Sequence, residues 1–143
     1  MQDNFEYLIL THSSLSGPAA SFASVYNIEI EESLRLTTHI IYADSVAVNY
    51  PDVDPEYAIW EQISTYINDI EGFKYLFILG DEILVPPIYD NYQIPSDDFY
   101  SSFDLSNPLP RVASGRIPVN SSIMAEGIVQ KLRSYLLTPT EGN

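Results

Sequence analysis

A chain of 143 residues, 45% hydrophobic and without a cysteine, fits one domain with a single core and excludes disulfides, thiolate metal sites and a cysteine nucleophile. Its 20 acids against six Lys and Arg leave a net charge of −14, which argues against nucleic-acid partners and anionic membrane surfaces, since both need clustered cations. The longest apolar runs, Tyr7–Leu10 and Tyr75–Leu79, fall far short of the roughly 20 residues that span a bilayer, so no membrane insertion is expected.

The amino terminus, Met1-Gln2-Asp3-Asn4, lacks the basic start and apolar stretch of a signal peptide. The expectation is therefore either a cytoplasmic protein or a chain preceded by further sequence. Tyr7-Leu8-Ile9-Leu10 is a continuous apolar run, as a strand covered on both faces requires. Gly17-Pro18 then opens a helix, which the spacing of Ala20, Ala23 or Ser24, and Ile28 carries to about Leu34. Leu36 to Tyr42 is β-branched and apolar and makes a second strand. In Asp54-Pro55-Glu56 an acid can cap, proline fits the first helical position, and glutamate suits the positive helix end. Ile59, Ile63, Tyr66 or Ile67, and Ile70 line one face of that helix, Trp60 widens the stripe, and Gly72 breaks it. Tyr75 to Leu79 is the third strand and the central one.

Beyond Gly80 the composition changes. Pro86, Pro87, Pro95, Pro108, Pro110 and, just beyond, Pro118 make six of the ten prolines, a density that excludes helix and central strand. Gly80 to Pro110 is thus a long loop, which Tyr89, Tyr92, Phe99, Tyr100 and Phe103 should order, with a hairpin around Phe99 to Leu105. Val112 to Ser114 makes a short fourth strand. Ser121 caps a last helix, in which Met124, Ile128, Leu132 and Tyr135 line one face, and Pro139 and Gly142 end it. Alternation of this kind predicts an α/β fold: a three-layer, mostly parallel four-stranded sheet with helices on both faces.

Ligands of open α/β sheets bind outside the carboxyl ends of the strands. Thr11-His12-Ser13, Asp44-Ser45 and Gly80-Asp81-Glu82 all stand there. His12 reads as a hydrogen-bonded surface residue before it reads as a base or ligand, and His39 as a packed strand residue. Asp81, directly after Gly80, is placed to accept backbone N–H bonds from the following loop. No Gly-rich phosphate cradle, G-x-S-x-G elbow or metal-spaced histidine pair is present. The loop acids serve solubility; calcium at Asp97, Asp98 and Asp104 with loop carbonyls is the alternative, and no other cofactor is called for.

The second half carries a more specific pattern. Lys74 to Leu79 runs into Gly80-Asp81, then Val85-Pro86, Pro95-Ser96-Asp97-Asp98-Phe99-Tyr100, Gly115-Arg116-Ile117-Pro118 and a helix. In this order and spacing it resembles the gingipain-type cysteine peptidases, with the first 70 residues fitting the family's opening only loosely. The resemblance implies a caspase-like domain of two side-by-side subdomains, of which residues 1–143 would be the amino-terminal one. The family's catalytic cysteine and histidine belong to the second, so no catalytic residue is carried over. Gly80, Asp81, Asp97, Asp98, Tyr100, Gly115 and Arg116 match structural motif positions. Arg116 is expected to hold Asp81 or Asp98 in a bidentate pair rather than bind substrate. The implied partners are the second subdomain and a peptide or protein substrate, and the implied location is secreted or cell-surface. A catalytically inert interaction or secretion module derived from the same fold is the alternative, and a phosphoacceptor receiver is disfavoured because Thr11-His12-Ser13 replaces the acids that chemistry needs.

Overall fold

The computed structural model describes residues 4–102, 104–106 and 109–138; Met1–Asp3, Phe103, Pro108, Pro139 and Gly142 from the sequence reading lie outside them. Four strands, β1 (Tyr7–Thr11), β2 (Thr38–Tyr42), β3 (Tyr75–Leu79) and β6 (Ala113–Ile117), form a parallel sheet in the order β2-β1-β3-β6. Strand β3 is interior, as its unbroken apolar sequence predicts. Leu8, Leu10, Leu76 and Ile78 project to one face and Ile9, Phe77 and Leu79 to the other, and each set joins a separate buried cluster. Two-sided burial explains why these strands read as continuous rather than alternating apolar runs.

The first face is covered by α2 (Ala43–Asn49) and α3 (Pro55–Asp69), which bury Val46, Ala58, Ile59, Ile63 and Tyr66. The second is covered by α1 (Ser16–Ser24) and α4 (Ser122–Leu137), through Ala19, Phe22, Ala23, Ala125 and Val129. Each fully buried Ile or Phe contributes roughly 1.5–3 kcal/mol by leaving water, so the two clusters are the main source of stability. Pro55 starts α3 as expected, and the Ser121 hydroxyl accepts the Met124 amide at 3.2 Å to cap α4.

Several sequence expectations need correction. The helix expected to reach Leu34 stops at Ser24 and widens into a π-turn over Val25–Glu29, closed by the Ile30 amide on the Val25 carbonyl at 2.9 Å. β-branched Val25 and Ile28 favour that stop, and so does Asn27, whose side-chain oxygen accepts from the amide and hydroxyl of Thr38. Asp44-Ser45, read as a polar strand end, belongs to a short helix, Ala43–Asn49. The hairpin lies earlier than expected: β4 (Ile88–Tyr89) pairs antiparallel with β5 (Pro95–Ser96), and the Asp90 carboxylate accepts the Tyr92 and Ile94 amides within the turn. Strand β6 is longer than expected and places Gly115 and Arg116 inside the sheet. The apolar face of α4 is shifted: Ile128 and Leu132 pack against the second cluster as expected, but its buried residues are Ala125 and Val129, whereas Met124 and Tyr135 are exposed.

Candidate functional site

At the carboxyl ends of β3 and β6 the chain winds around one guanidinium. Arg116 lies on β6 beside Ile78 of β3. Its Nε and Nη2 donate to the two carboxylate oxygens of Asp97, each at 2.7 Å. Its Nη1 donates to the carbonyls of Gly80, Asp81 and Val85 at 3.0, 3.1 and 2.8 Å. The bidentate partner is therefore Asp97, and the expected Asp81 or Asp98 pairing is corrected. Sequence spacing alone could not choose among three loop acids, because the β4–β5 hairpin decides which one folds back onto β6.

The loop after β3 is held as tightly by its own groups. Gly80 has φ +148°, a conformation side chains rarely adopt, and its amide donates to the Ile117 carbonyl at 3.0 Å. The Asp81 carboxylate accepts the amides of Ile83 and Leu84, both at 3.0 Å, while the Asp81 amide reaches Val119 across the sheet edge. Tyr100 is fully buried, and its hydroxyl donates to the Pro86 carbonyl. Burial pushes that hydroxyl well above the ordinary tyrosine range despite the nearby Arg116, so it stays protonated and a donor. A cleft of about 310 Å³ opens over the Arg116–Asp97 pair, walled by Glu82, Pro87, Pro95, Ser96 and Pro118. Every Arg116 nitrogen already serves an acceptor, which makes the residue a clasp between β3, the hairpin and β6.

The three acids grouped as calcium ligands are placed differently from one another. Both Asp97 oxygens face Arg116, Asp104 Oδ1 accepts the amide and hydroxyl of Ser106, and the Asp98 carbonyl accepts the Ser101 hydroxyl. Among the described residues no group of three acids, histidines or cysteines is arranged to hold a metal ion.

A second polar cluster joins the ends of β1 and β2. Ser13 donates its amide to Asp44 Oδ1 at 3.0 Å and its hydroxyl to Oδ2. His12 Nδ1 accepts the Ser14 amide at 3.1 Å and lies 2.9 Å from the Ser14 hydroxyl, which leaves the ring proton on Nε2, 3.9 Å from Asp44. Although Ser, His and Asp meet here, the contacts are those of a cap: they satisfy the first amides after β1 and tie that turn to α2. His39, in turn, stacks on Phe5 with ring centroids 5.1 Å apart, as a packed strand residue would. Partial burial opposes ionisation of Asp44, but the Ser13 hydroxyl and amide outweigh it and hold its carboxyl below the usual range. A depressed folded value means this contribution is present above the ordinary carboxylate pKa and is lost as pH falls through the folded one. Asp44→Asn should therefore cost stability at neutral pH and flatten the acid limb of a melting-temperature profile; an unchanged limb would show the tie to be idle.

The first seventy residues thus supply the capped sheet end and the last seventy the clasp, and comparison with known proteins covers both. The model of peptidase family C25 matches residues 1–143. A protein of Archaeoglobus fulgidus described as uncharacterized is 29% identical over 137 residues, covering 80% of this chain and 32% of the relative. Among solved structures, the complex of Porphyromonas gingivalis RgpB pro- and mature domains is similar with TM-score 0.73 at 18% identity, over 91% of this chain and 29% of that one. The Arg specific cysteine proteinase gingipain R (RgpB) gives TM-score 0.72 at 19% identity, over 94% of this chain and 29% of that one. At those identities the likeness is one of fold. The chain spans about a third of the length of the relatives it matches.

Proposed function

We infer that this chain, which belongs to peptidase family C25, is the half of a gingipain-like domain that supports a cysteine endopeptidase site without supplying its nucleophile. The observation that carries the reading is a family match over all 143 residues of a chain with no cysteine. Thiolate attack on a peptide carbonyl needs a sulfur and a base to take its proton, held within hydrogen-bond reach. Neither polar cluster offers that pair, so the chemistry belongs to polypeptide beyond this chain. The partners of this half are then the remainder of the same protein and, through the completed site, a peptide substrate, in a secreted or cell-surface setting.

The Arg116 clasp supports a scaffolding role. It spends its charge on Asp97 and three carbonyls, which rigidifies the sheet end against which a second half would rest. The test compares the 143-residue chain with a polypeptide extended through the length typical of its relatives, both on a mixed peptide library. No cleavage is expected from the short chain, and thiol-reagent-sensitive cleavage from the long one. Cleavage by the short chain that survives further purification would overturn the reading. A long chain that folds but cleaves nothing would favour the inert interaction module instead.

A further inference from the structure

The β4–β5 hairpin carries aromatic rings that the core does not take up. Tyr89 on β4 is 44% exposed, and Tyr57 in the first turn of α3 is 40% exposed. Both line one open cavity of about 470 Å³, together with Asp90, Asn91, half-buried Phe99 and buried Ile88. That volume falls within the roughly 300–1,000 Å³ of sites that hold small molecules. A ring left at the surface forgoes most of the hydrophobic gain of burial. Two such rings beside a third, with a carboxylate between α3 and the hairpin, point to binding rather than to folding.

The hairpin turn fixes that carboxylate. Asp90 Oδ1 accepts the Tyr92 amide at 2.8 Å and the Ile94 amide at 3.0 Å. The Asp90 amide donates to the Ile94 carbonyl at 2.9 Å, the Gln93 amide returns to the Asp90 carbonyl at 3.0 Å, and Gln93 closes the turn with φ 63°. Asp90 Oδ2 has no hydrogen-bond partner among the described residues, nor do the Tyr57 and Tyr89 hydroxyls or the Asn91 side chain. Asp90 also has no ion pair among them. The Arg116 cleft differs on this point, since the guanidinium there satisfies both Asp97 oxygens.

Rings and one free carboxylate oxygen select the ligand by its chemistry. The face of an aromatic ring is negative and attracts a cation within about 6 Å of its centroid. Asp90 adds a full charge, and the field of a chain of net charge −14 gathers cations over its surface and repels anions. A guanidinium pairs best with both oxygens of a carboxylate, and Oδ1 is already engaged by two amides. A lysine ammonium needs several acceptors in exchange for its strong hydration. A quaternary ammonium needs neither. It donates no hydrogen bond, and ring faces with a countercharge are the surroundings in which choline-like groups are held. The Asn91 amide and the two tyrosine hydroxyls then remain for a polar tail.

We propose that the cavity between the start of α3 and the β4–β5 hairpin binds a small quaternary-ammonium solute of the choline type, through the rings of Tyr57, Tyr89 and Phe99 and the charge of Asp90. This site is separate from the Arg116 cleft, and it does not depend on the peptidase reading.

NMR titration with tetramethylammonium and choline chlorides, at constant ionic strength, tests it on the 143-residue chain and on the polypeptide extended through the length of its relatives. The Tyr89, Asp90 and Asn91 amides should shift saturably in both, with a Kd of about 1–10 mM for so small a ligand. Tyr89→Phe should keep that affinity, whereas Tyr89→Leu should weaken it about threefold and Asp90→Asn about fivefold. Asparagine still offers Oδ1 to the Tyr92 and Ile94 amides, so the turn is kept and only the charge is lost. Added salt should weaken binding too. An absence of shifts at ten times the expected Kd overturns the proposal. An equal response to neutral methyl glucoside does the same, as does an affinity that Asp90→Asn leaves intact. Shifts in the short chain alone would show the cavity to be covered in the longer protein and also overturn it. Sedimentation with phosphatidylcholine vesicles, lost in Tyr89→Leu, would place the head group in a bilayer and overturn the soluble ligand; none is expected. Peptidase activity of the long polypeptide stands apart from these readouts: an inactive protein that binds choline keeps this site and loses the peptidase reading.

Discussion

Replacing Arg116 by methionine should destabilise the domain by about 3 kcal/mol, because it breaks a partly buried ion pair and three hydrogen bonds to carbonyls at once. For a chain of this size that corresponds to a fall of about 10 °C in melting temperature. Methionine keeps most of the stem volume, so packing changes little. What is lost is the neutralising partner of Asp97, whose side chain is only 25% exposed, and the donor shared by the Gly80, Asp81 and Val85 carbonyls. A half-buried carboxylate without its partner and three under-satisfied acceptors are left behind, which solvent from the adjoining cleft satisfies only in part. Arg116→Lys should recover little, since an ammonium cannot reproduce the bidentate fork and still reach three carbonyls. Asp97→Asn should cost less than Arg116→Met, because an amide oxygen still accepts one guanidinium bond. In the double variant the two losses should fall well short of adding, which is the signature of a shared interaction. Strict additivity in thermal or urea melts would show that the clasp is not the unit described here. On the proposed scaffolding role, the effect in a longer active protein should follow stability rather than the chemical step.

How far the sequence reveals this arrangement depends on the range over which each residue's partner is chosen. Strands β1 and β3 are legible because two-sided burial leaves a continuous apolar run whatever lies around it. Helix α3 is legible because its start, its apolar stripe and its stop are all local signals. Helix α2 is not, since Val46 and Val48 on so short a segment look as much like strand as helix; tertiary packing of Val46 against α3 decides it. The shift of α4 has a similar cause. Met124, Ile128, Leu132 and Tyr135 form a credible stripe, of which Ile128 and Leu132 do pack inward, but the fully buried contacts of the helix are made by small Ala125 and Val129. Arg116 could be singled out from sequence by its place in the Gly-Arg-Ile-Pro pattern, yet its partner could not. Asp97 comes to it only through the β4–β5 hairpin, whose turn depends on the Asp90 carboxylate and a positive φ at Gln93.

Gly80→Ala is expected to cost about as much as the loss of Arg116, by a different route. The backbone at Gly80 has φ +148°, in a region that is nearly glycine-only and costs roughly 1–3 kcal/mol for any other residue. The added methyl would also stand 2.9 Å from Val85 Cγ2 and 3.5 Å from Leu84 Cβ. Val85 is fully buried and cannot yield easily: its amide is bonded to the Asp81 carbonyl at 2.9 Å and its carbonyl to Arg116 at 2.8 Å. Overpacking of this kind adds about 1–3 kcal/mol where the surroundings are tied down, and moving Val85 would pull a carbonyl away from the guanidinium. Pairing the change with Val85→Ala separates the two causes. The double variant removes the clash but keeps the backbone strain, so it should recover part of the loss attributable to Gly80→Ala once the cost of Val85→Ala alone is subtracted. Gly115→Ala is the control. It lies in an extended strand with nothing within 4 Å of the new methyl, and alanine loses less backbone entropy on folding, so the change should be neutral or gain up to about 1 kcal/mol. Equal melting temperatures for Gly80→Ala and Gly115→Ala would refute the claim that the turn after β3 requires glycine. A large gap between them would locate the demand in the turn that presents the Gly80 carbonyl to Arg116, where the strand end, the loop and the clasp are held in register by one residue that has no side chain.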